Sequence, residues 1–421
     1  MSTSNGEKRA LVIGGGIAGP VTALALRKAG VEAVVFEAYE SSAEGIGGTF
    51  MIAPNGLDAL ATVGLGAEVG AIGQPIGPML IEDGRGGVLA EFAGLPDLPP
   101  GRVMRRAELY EVLQRRLRES GIEVRYGKRL VGAEEGADGI TARFADGDTA
   151  TGDLLIGTDG TRSTVRTLID PAAPGARYTG LLGVGGYSPH RLPGRAGRGE
   201  TMHFANGARA FFGYWGLPDG AGTAWFSNIP QPEQLTAEQV RAVSPEEWLR
   251  RVRDLHADDL PARDVLREAA ADTVEVFPRL EIMPSVPHWY RGRMVLVGDS
   301  AHAPSNSSGQ GVSLAVESAV ELARCLRDLP DHTAAFAAYE ALRRPRVEKI
   351  AANAARTNNQ KSSGPVGRAL FRLLAPIAMR TFLSPEKMLR PVHGHRIDWD
   401  RPVLPVASGA TGRQRRAVTA P

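Results

Sequence analysis

Cysteine is almost absent from this sequence of 421 residues, in which Cys325 stands alone. A single cysteine cannot form an intrachain disulfide, which excludes disulfide-stabilised secreted scaffolds and favours a reducing compartment. The first residues, MSTSNGEKR, lack the apolar segment of a signal peptide. No uninterrupted apolar run approaches the roughly 18 residues that a membrane span needs. We therefore predict a cytoplasmic protein that does not cross a membrane.

An excess of charge of one sign is also missing, since 49 Lys and Arg face 47 Asp and Glu. No long basic block lies outside the C-terminal tail, so we expect no nucleic acid partner. The sequence has no H-E-x-x-H segment, no cysteine cluster and no serine nucleophile elbow. A chain of this length that is 43% hydrophobic is too large for one small core, and two domains are the default.

What the sequence does contain is a dinucleotide-binding pattern at residues 10–37, ALVIGGGIAGPVTALALRKAGVEAVVFE, typical of a strand, a glycine turn, a helix and a second strand. The turn carries Gly14, Gly16 and Gly19. These allow a sharp turn, close approach of the backbone to a pyrophosphate, and close packing of helix on strand. Glu37 ends the second strand, where it can accept hydrogen bonds from ribose hydroxyls. A carboxylate there favours FAD or NAD over NADP, and this motif does not choose between FAD and NAD.

Two later stretches also place polar residues at strand ends. The segment DLLIGT is followed by Asp159 and Gly160, and the apolar segment RMVLVG by Asp299. Open α/β sheets bind ligands at the carboxyl ends of their strands, where Asp299 can accept hydrogen bonds from the ribityl chain of a flavin. Ten residues later Gly309, Gln310 and Gly311 open a helix. The free amides and the positive dipole end of this helix suit the pyrimidine edge of a flavin. We expect all these residues to converge on one cofactor.

In their order and separation, these stretches resemble the motifs of a known family. They are similar to those of single-component FAD-dependent aromatic hydroxylases, the p-hydroxybenzoate hydroxylase-like flavoprotein monooxygenases. DLLIGTDGTRSTVR resembles the second motif of that family, and GDSAHAPSNSSGQGVSLAVESA resembles the third. MRRAEL resembles the segment whose arginine contacts the flavin, and its register points to Arg106, with Arg105 as the second choice. The resemblance covers residues from about 10 to about 358.

The resemblance implies an α/β fold. An FAD-binding βαβ domain, a glutathione-reductase-like variant of the Rossmann fold, would carry an inserted, mostly antiparallel β-sheet substrate domain and C-terminal helices. Aromatic residues in short segments split by glycine turns after residue 178 agree with such a sheet, and one helix is expected there at 245–255. The predicted boundaries are FAD-binding parts at 1–75, 101–175 and 286–360, sheet segments at 76–100 and 176–285, C-terminal helices at 361–400 and a disordered tail at 401–421.

The resemblance also implies an activity. In the family, NADPH or NADH reduces FAD, O2 adds to give a flavin C4a-hydroperoxide, and one oxygen atom passes to the substrate by hydroxylation or epoxidation. The expected substrate is a hydrophobic small molecule, aromatic or polyketide-like, of the kind found in natural product pathways. The resemblance implies that neither a side-chain nucleophile nor a metal is required, and no catalytic residue is named. The expected assembly is a monomer or a homodimer.

Candidate substrate contacts lie in the aromatic-rich sheet: His203, Arg209, Tyr214 and Trp225. Strand alternation turns only about half of such residues toward the flavin, and ordinary sheet packing is the alternative for each. Many relatives carry a proline beside the flavin where Asn306 stands here. The resemblance therefore implies that Asn306 reshapes the wall around the reacting oxygen.

Three other functions compete with the monooxygenase. A flavin-dependent alkene reductase of the geranylgeranyl reductase type would use the same fold without oxygen insertion. A flavin-dependent halogenase needs an active-site lysine and a W-x-W-x-I-P segment. Here WFSNIP has Ser227 in place of the second tryptophan, and no lysine lies between Lys28 and Lys128. A peripheral membrane protein is the third alternative, because GRALFRLLAPIAMRTFL could lie on a bilayer, although a proline interrupts it.

Overall fold

The computed structural model describes residues 8–41, 48–193, 199–361 and 385–405. Its strands are β1 Arg9–Ile13, β2 Glu32–Phe36, β3 Thr49–Ile52, β4 Gln74–Ile76, β5 Met79–Asp83, β6 Val88–Phe92, β7 Gly101–Arg105, β8 Glu123–Arg125, β9 Leu130–Glu135, β10 Ile140–Phe144, β11 Thr149–Gly152, β12 Leu154–Gly157, β13 Arg177–Tyr178, β14 Leu181–Ser188, β15 Met202–Asn206, β16 Phe211–Gly216, β17 Thr223–Pro230, β18 Glu275–Phe277, β19 Glu281–Ile282, β20 Tyr290–Arg291 and β21 Met294–Leu296. Its helices are α1 Ala18–Lys28, α2 Pro54–Thr62, α3 Gly66–Ala71, α4 Arg106–Glu119, α5 Thr164–Ile169, α6 Ala237–Arg241, α7 Pro245–Leu255, α8 Ala262–Glu268, α9 Gly311–Asp328, α10 His332–Lys361 and α11 Pro385–His393.

A six-stranded sheet organises the first domain, in the order β20-β21-β12-β1-β2-β8. Its strands pair in parallel except at the β20 edge. Apart from Arg9 at the start of β1, the central strands β1 and β12 are apolar because both faces of the sheet are covered, and Leu11, Val12 and Leu155 have no solvent exposure. Helices α1 and α9 pack against each other beside this sheet. The carboxyl ends of β1, β12 and β21 therefore meet at one edge, as the sequence predicted.

A seven-stranded sheet forms the second domain, in the order β18-β14-β17-β16-β15-β5-β6. Its pairings are antiparallel except that β15 and β5 run parallel. Strands β5 and β6 come from residues 76–100, which lie between parts of the first domain in sequence. The α/β fold class predicted from the sequence is confirmed, with a mostly antiparallel sheet inserted into a parallel one.

The two faces of the seven-stranded sheet have different neighbours. The outer face packs against α7 and α8, burying Trp248, Leu249, Val252, Val265 and Leu266 in a common core with the sheet. The inner face packs against β3, β4 and β7 of the first domain. There Met202, Trp215 and Ala224 of the sheet join Ile76 and Val103 in a separate apolar cluster. The inner face of the sheet is therefore the one that faces the first domain.

The second domain has more helices than predicted. The sequence predicted one helix there, at 245–255, and the structure has this helix as α7, with the short helices α6 and α8 in addition. Short helices of five to seven residues carry too few turns for a periodic pattern. In the predicted C-terminal helical region, α11 is present, and residues 362–384 lie outside the described part of the chain. The predicted disordered tail likewise lies outside it from residue 406 onward.

Candidate active site

The glycine turn after β1 is built as the motif requires. Gly14 has φ +108°, and a Cβ there would lie 2.6 Å from the carbonyl oxygen of Thr158. A Cβ at Gly19 would lie 1.9 Å from the carbonyl oxygen of Gly14, so α1 packs on the turn only without a side chain. By contrast, a Cβ at Gly16 would meet no atom within 4 Å, which leaves its backbone open toward a ligand. The Thr158 hydroxyl donates to the carbonyls of Ile13 and Gly14 and joins β12 to this turn.

The carboxylate of Glu37 is held beside the same turn. Its Oε2 accepts a hydrogen bond from the backbone amide of Gly15 at 2.6 Å, and its Oε1 accepts one from the amide of Tyr39 at 3.0 Å. Two carboxylate oxygens offer about four acceptor positions, so both retain capacity for further donors. The ribose contact of Glu37 stays a prediction, and these two bonds fix the carboxylate beside the glycine turn without using all its acceptor positions.

Asp299 lies beyond the end of β21, within the electrostatic influence of Arg106. Asp299 is exposed, and its carboxylate accepts no hydrogen bond from the residues that the structure describes. Surrounding protein raises the pKa of Asp299, while the positive charge of Arg106 lowers it. Arg106 begins α4, and its amide donates to the carbonyl of Gly48 at 3.0 Å. Arg105 instead acts electrostatically on Glu275, where its charge lowers the pKa.

The residues at the start of α9 lie next to β3 and α2. Gly309 adopts the left-handed conformation with φ +59°, and Gly311 has no atom within 4 Å of an added Cβ. Gln310 is 2% exposed, and its Oε1 accepts from Asn55 Nδ2 at 3.0 Å. Its Nε2 is buried without a partner among the described residues. The amides of the first helical turn have no partner within the helix, so this end of α9 can hold an electron-rich group.

Asp159 and Gly160 follow β12 at the same edge of the sheet. Asp159 Oδ2 accepts from the amide of Val165 at 3.1 Å, and its Oδ1 is buried without a partner among the described residues. Burial raises the pKa of Asp159, and hydrogen bonds from Ser163 and Val165 oppose that rise. Gly160 has φ +75°, with open space around an added Cβ. These residues anchor α5 and leave one carboxylate oxygen for another donor.

Beneath the α9 end lies a buried ion network that the sequence did not predict. Glu317 is completely buried, and its carboxylate accepts from Asn55 at 2.6 Å and pairs with Arg343 at 2.7 Å and Arg346 at 2.9 Å. Burial alone would raise the pKa of Glu317, but the two arginines outweigh it and lower the pKa to about 2. The network joins α2, α9 and α10 behind the glycine loop. The sequence gives no sign that Glu317, Arg343 and Arg346 are buried, because charged residues of an exposed helix would have the same spacing.

These features fit FAD. The backbone at Gly16 is open where a pyrophosphate would approach, and Glu37 is held where a ribose would lie. Asp299 is accessible at the end of β21, and the free amides at the start of α9 follow it in the chain. A family model described as FAD binding domain matches residues 7–354. The chain belongs to this family.

Relatives with known activities agree with the family. FAD-dependent urate hydroxylase from Klebsiella pneumoniae is 31% identical over 357 residues, covering 81% of this chain and 87% of that protein. Aurachin C monooxygenase/isomerase from Stigmatella aurantiaca is 32% identical over 356 residues, covering 82% and 88%. The crystal structure of Klebsiella pneumoniae HpxO complexed with FAD and uric acid has a TM-score of 0.75 and 27% identity, covering 88% of this chain and 93% of that one.

The comparisons confirm the predicted family, cofactor and reaction class. This family member is an FAD-dependent monooxygenase, an oxidoreductase that uses O2 and NADPH or NADH. The alkene reductase and halogenase alternatives find no support among these relatives. Within the described residues, no helix is long and apolar enough to cross a membrane, and no group of side chains could hold a metal ion. The segment considered for surface attachment to a bilayer lies outside the described residues from 367 to 383.

The predicted substrate residues of this monooxygenase do not come together at the FAD site. His203, Tyr214 and Trp225 lie on the outer face of the sheet, under the helices. His203 stacks on Tyr214 with 4.5 Å between ring centroids, and both bond to the buried carboxylate of Glu82, at 2.7 and 2.6 Å. This group, and Trp225 in the core with α7, are packing contacts of the helix-covered face.

The other two predicted residues are exposed at the surface of this family member. Arg209 donates to the carbonyl of Leu255 at 3.2 Å and lies 3.8 Å from Asp258, at the outer end of the sheet. Asn306 begins a short 3-10 turn at Asn306–Ser308, just before the α9 glycine loop, and its Oδ1 accepts from Ser305 at 3.4 Å. Of the five predicted substrate residues, only Asn306 adjoins the residues that fit FAD.

The inner face of the sheet carries aromatic residues that the sequence analysis did not select. Phe204 and Phe226 have ring centroids 6.5 Å apart, and both pack on the cluster that contains Trp215. Tyr187 is on the same face, since its strand pairs it with Ala224. Alternation alone could have separated the two sets. The sequence carries no signal for which set the helices cover, because that depends on where the helices pack.

Proposed function

We propose that this monooxygenase hydroxylates a flat, electron-rich aromatic or heteroaromatic small molecule, bound between FAD and the inner face of the seven-stranded sheet. The observation that carries the proposal is the composition of that face: Tyr187, Phe204, Phe211, Trp215, Phe226 and Phe277. Aromatic walls favour flat ring systems through offset and edge-to-face stacking. An apolar pocket also keeps water away from a reactive oxygen centre.

The relatives support a ring substrate of this kind. One is a urate hydroxylase and another is a kynurenine 3-monooxygenase from Salinispora arenicola, 30% identical over 361 residues. Their names refer to compounds built on planar rings. A third acts on aurachin C by its name. We extend the common feature, a planar ring accepting one oxygen atom, to this chain.

The residues of this chain bind, orient and shield. When bound, FAD supplies O2 activation with electrons from NADPH or NADH and delivers one oxygen atom. Gly16 and Glu37 would hold the pyrophosphate and ribose, Asp299 the ribityl chain, and the amides at Gly311 the pyrimidine edge. The inner face would set the distance between the ring carbon and the reacting oxygen, since positioning contributes strongly to such steps.

The test is oxygen uptake by the FAD-loaded protein with NADPH and then NADH. Uric acid, kynurenine, phenols and hydroxyquinolines are offered one at a time, and products are analysed by mass spectrometry. We expect uptake that one ring class stimulates and a product heavier by one oxygen atom. Flavin reduction without stimulated uptake or oxygenated product across the panel would contradict the proposal.

A matched pair of variants tests which face binds substrate. Phe204→Leu alters the inner face, and Phe212→Leu alters the outer face, where Phe212 has no solvent exposure. We expect Phe204→Leu to raise KM severalfold or uncouple oxygen uptake from product, at little cost in stability. Phe212→Leu should lower the melting temperature and leave KM unchanged. The reverse pattern would return the substrate to the outer face.

We further propose a cytoplasmic location and a monomer or homodimer. A single cysteine, buried at position 325, fits a reducing compartment. Light scattering coupled to size-exclusion chromatography measures the assembly, and a trimer or larger species would contradict it. Fractionation of the producing cell tests the location.

A further inference from the structure

A cavity of about 220 Å³ lies between the β3–α2 connection, the segment at residues 93–101 and the end of α11. Most of its lining is apolar, and the larger apolar side chains are Met51, Ile76, Met79, Leu95, Leu98 and Leu389. An apolar protein cavity of about 150 Å³ is enough to bind benzene, so this one has room for an apolar group of about six to nine carbon atoms.

The segment at residues 93–101 forms a stiff wall of this cavity and is tied to α11. It contains three prolines, each of which fixes the backbone dihedral φ. Asp97 in this segment accepts two hydrogen bonds from the guanidinium group of Arg390 on α11, at 2.8 and 2.9 Å. An exposed pair of this kind adds little stability, but its two parallel bonds set the position of one wall relative to the other. The cavity is therefore formed before a ligand binds.

Among the described residues that line the cavity, none carries a charge at neutral pH. His393 is the one ionisable residue among them. Burial, followed by the charge of Arg346, lowers the pKa of His393 to about 4, so its ring is neutral at pH 7. A carboxylate or ammonium group that entered the cavity would lose water without gaining an opposite charge, which is costly. An uncharged apolar group is stabilised by the same transfer from water.

The cavity adjoins both the start of α9 and the inner face of the seven-stranded sheet. On one side, the methyl carbon of Met51 lies 3.0 Å from the point that a Cβ on Gly309 would occupy. On the other side, Ile76 belongs to the apolar cluster of Trp215, and Met79 packs against that cluster. A ring bound on the inner face would therefore have this cavity beside it, on the side where the α9 loop lies.

We propose that this cavity binds an uncharged apolar substituent of the substrate, while the ring that accepts oxygen lies on the inner face. The substrate class is then ring compounds that carry an alkyl chain or a fused apolar ring of about six to nine carbon atoms. Uric acid and kynurenine lack such a group and should bind poorly. This inference rests on the proposed function, because it extends the same ring substrate into a neighbouring cavity. Each methylene buried there should improve binding about fourfold until the cavity is full.

The experiment measures binding by isothermal titration calorimetry of the FAD-loaded protein, so that it does not depend on turnover. One series of ligands is phenol, 4-ethylphenol, 4-butylphenol and 4-hexylphenol, and a second is 4-hydroxyquinoline with the same alkyl chains at position 2. The charged counterpart of 4-butylphenol is 3-(4-hydroxyphenyl)propanoate. We expect affinity to rise with chain length in at least one series, and the charged counterpart to bind at least about tenfold more weakly than 4-butylphenol.

Leu98→Trp fills the cavity, Leu98→Ala enlarges it, and Leu342→Trp is the matched control. Leu342 lies on α10, is 47% exposed and does not line the cavity. We expect Leu98→Trp to reduce the ratio of the affinities for the hexyl and unsubstituted ligands about tenfold. Leu98→Ala should extend the gain to longer chains, and the control should keep the wild-type ratio. FAD content and melting temperature are measured for each variant, and a partial loss of folded protein affects both members of a ratio equally.

Three results would overturn the inference. One is an affinity of the wild-type protein that does not rise with chain length in either series, including the absence of binding up to the solubility limit. Another is a charged counterpart that binds as tightly as 4-butylphenol, and the third is a chain-length gain that survives unchanged in Leu98→Trp. Oxygen uptake with the same ligands tests the proposed function separately. Oxygenated product without chain-length dependence would leave the proposed function standing and remove the substituent site, whereas the expected chain-length dependence without oxygenated product would support the site alone.

Discussion

We expect Gly16 and Gly19 to have different roles in the glycine turn, Gly16 in binding the ligand and Gly19 in packing. Replacing each of them separately by alanine tests this. An added Cβ at Gly16 meets no atom within 4 Å, and φ at Gly16 lies outside the left-handed region. We therefore expect Gly16→Ala to change the free energy of unfolding of the apoprotein by less than about 1 kcal/mol, with a small stabilisation from the stiffer unfolded chain. The same methyl group would lie where the pyrophosphate approaches the backbone. Loss of one hydrogen bond to a charged group costs about 1.5–3 kcal/mol, so FAD affinity should fall about tenfold to hundredfold.

Gly19→Ala should have the opposite signature. Its Cβ would lie 1.9 Å from the carbonyl oxygen of Gly14, which is backbone and cannot rotate away. Overpacking of this kind costs about 1–3 kcal/mol, so the apoprotein itself should be less stable. The assays are quenching of FAD fluorescence by apoprotein and thermal unfolding followed by circular dichroism. Gly16→Ala binding FAD as tightly as wild type, or Gly19→Ala unfolding like wild type, would refute the division of roles.

Two further predictions concern charges. Asp299→Asn removes a carboxylate that accepts no hydrogen bond from the described residues, so the stability of the apoprotein should stay unchanged. FAD affinity, measured by the same fluorescence titration, should fall about tenfold. An unchanged FAD affinity would contradict the contact between Asp299 and the ribityl chain. Glu317→Gln leaves Arg343, 1% exposed, without its carboxylate, and should lower the free energy of unfolding in urea by about 3–5 kcal/mol. Because the folded pKa of Glu317 is about 2 against an ordinary 4.5, its contribution is complete above pH 4.5 and is lost as pH falls towards 2. Acid unfolding with the same pH dependence in the variant would contradict that assignment.

The parts of the site that the sequence predicted are those encoded locally. Gly14, Gly16 and Gly19 follow directly from one strand and precede one helix, so their geometry is set within a few residues. Asp299 and the loop at 309–311 are likewise placed by a strand end and a helix start. By contrast, Asn55 and Glu317 are 262 residues apart and meet only because α2 packs on α9. Pairing between such distant residues has no signature in a single sequence.

The environment of each face of the seven-stranded sheet could not be predicted from the local sequence. Strand alternation puts Phe212 and Tyr214 on one face and Phe211 and Trp215 on the other, and both sets are aromatic. Composition therefore does not distinguish the set that the helices cover from the other set. The deciding fact is that α7 and α8 need an apolar surface for Trp248 and its neighbours, and they take the outer face. Once the helices occupy that face, the other set is left for the β3 side and, in our proposal, for the substrate.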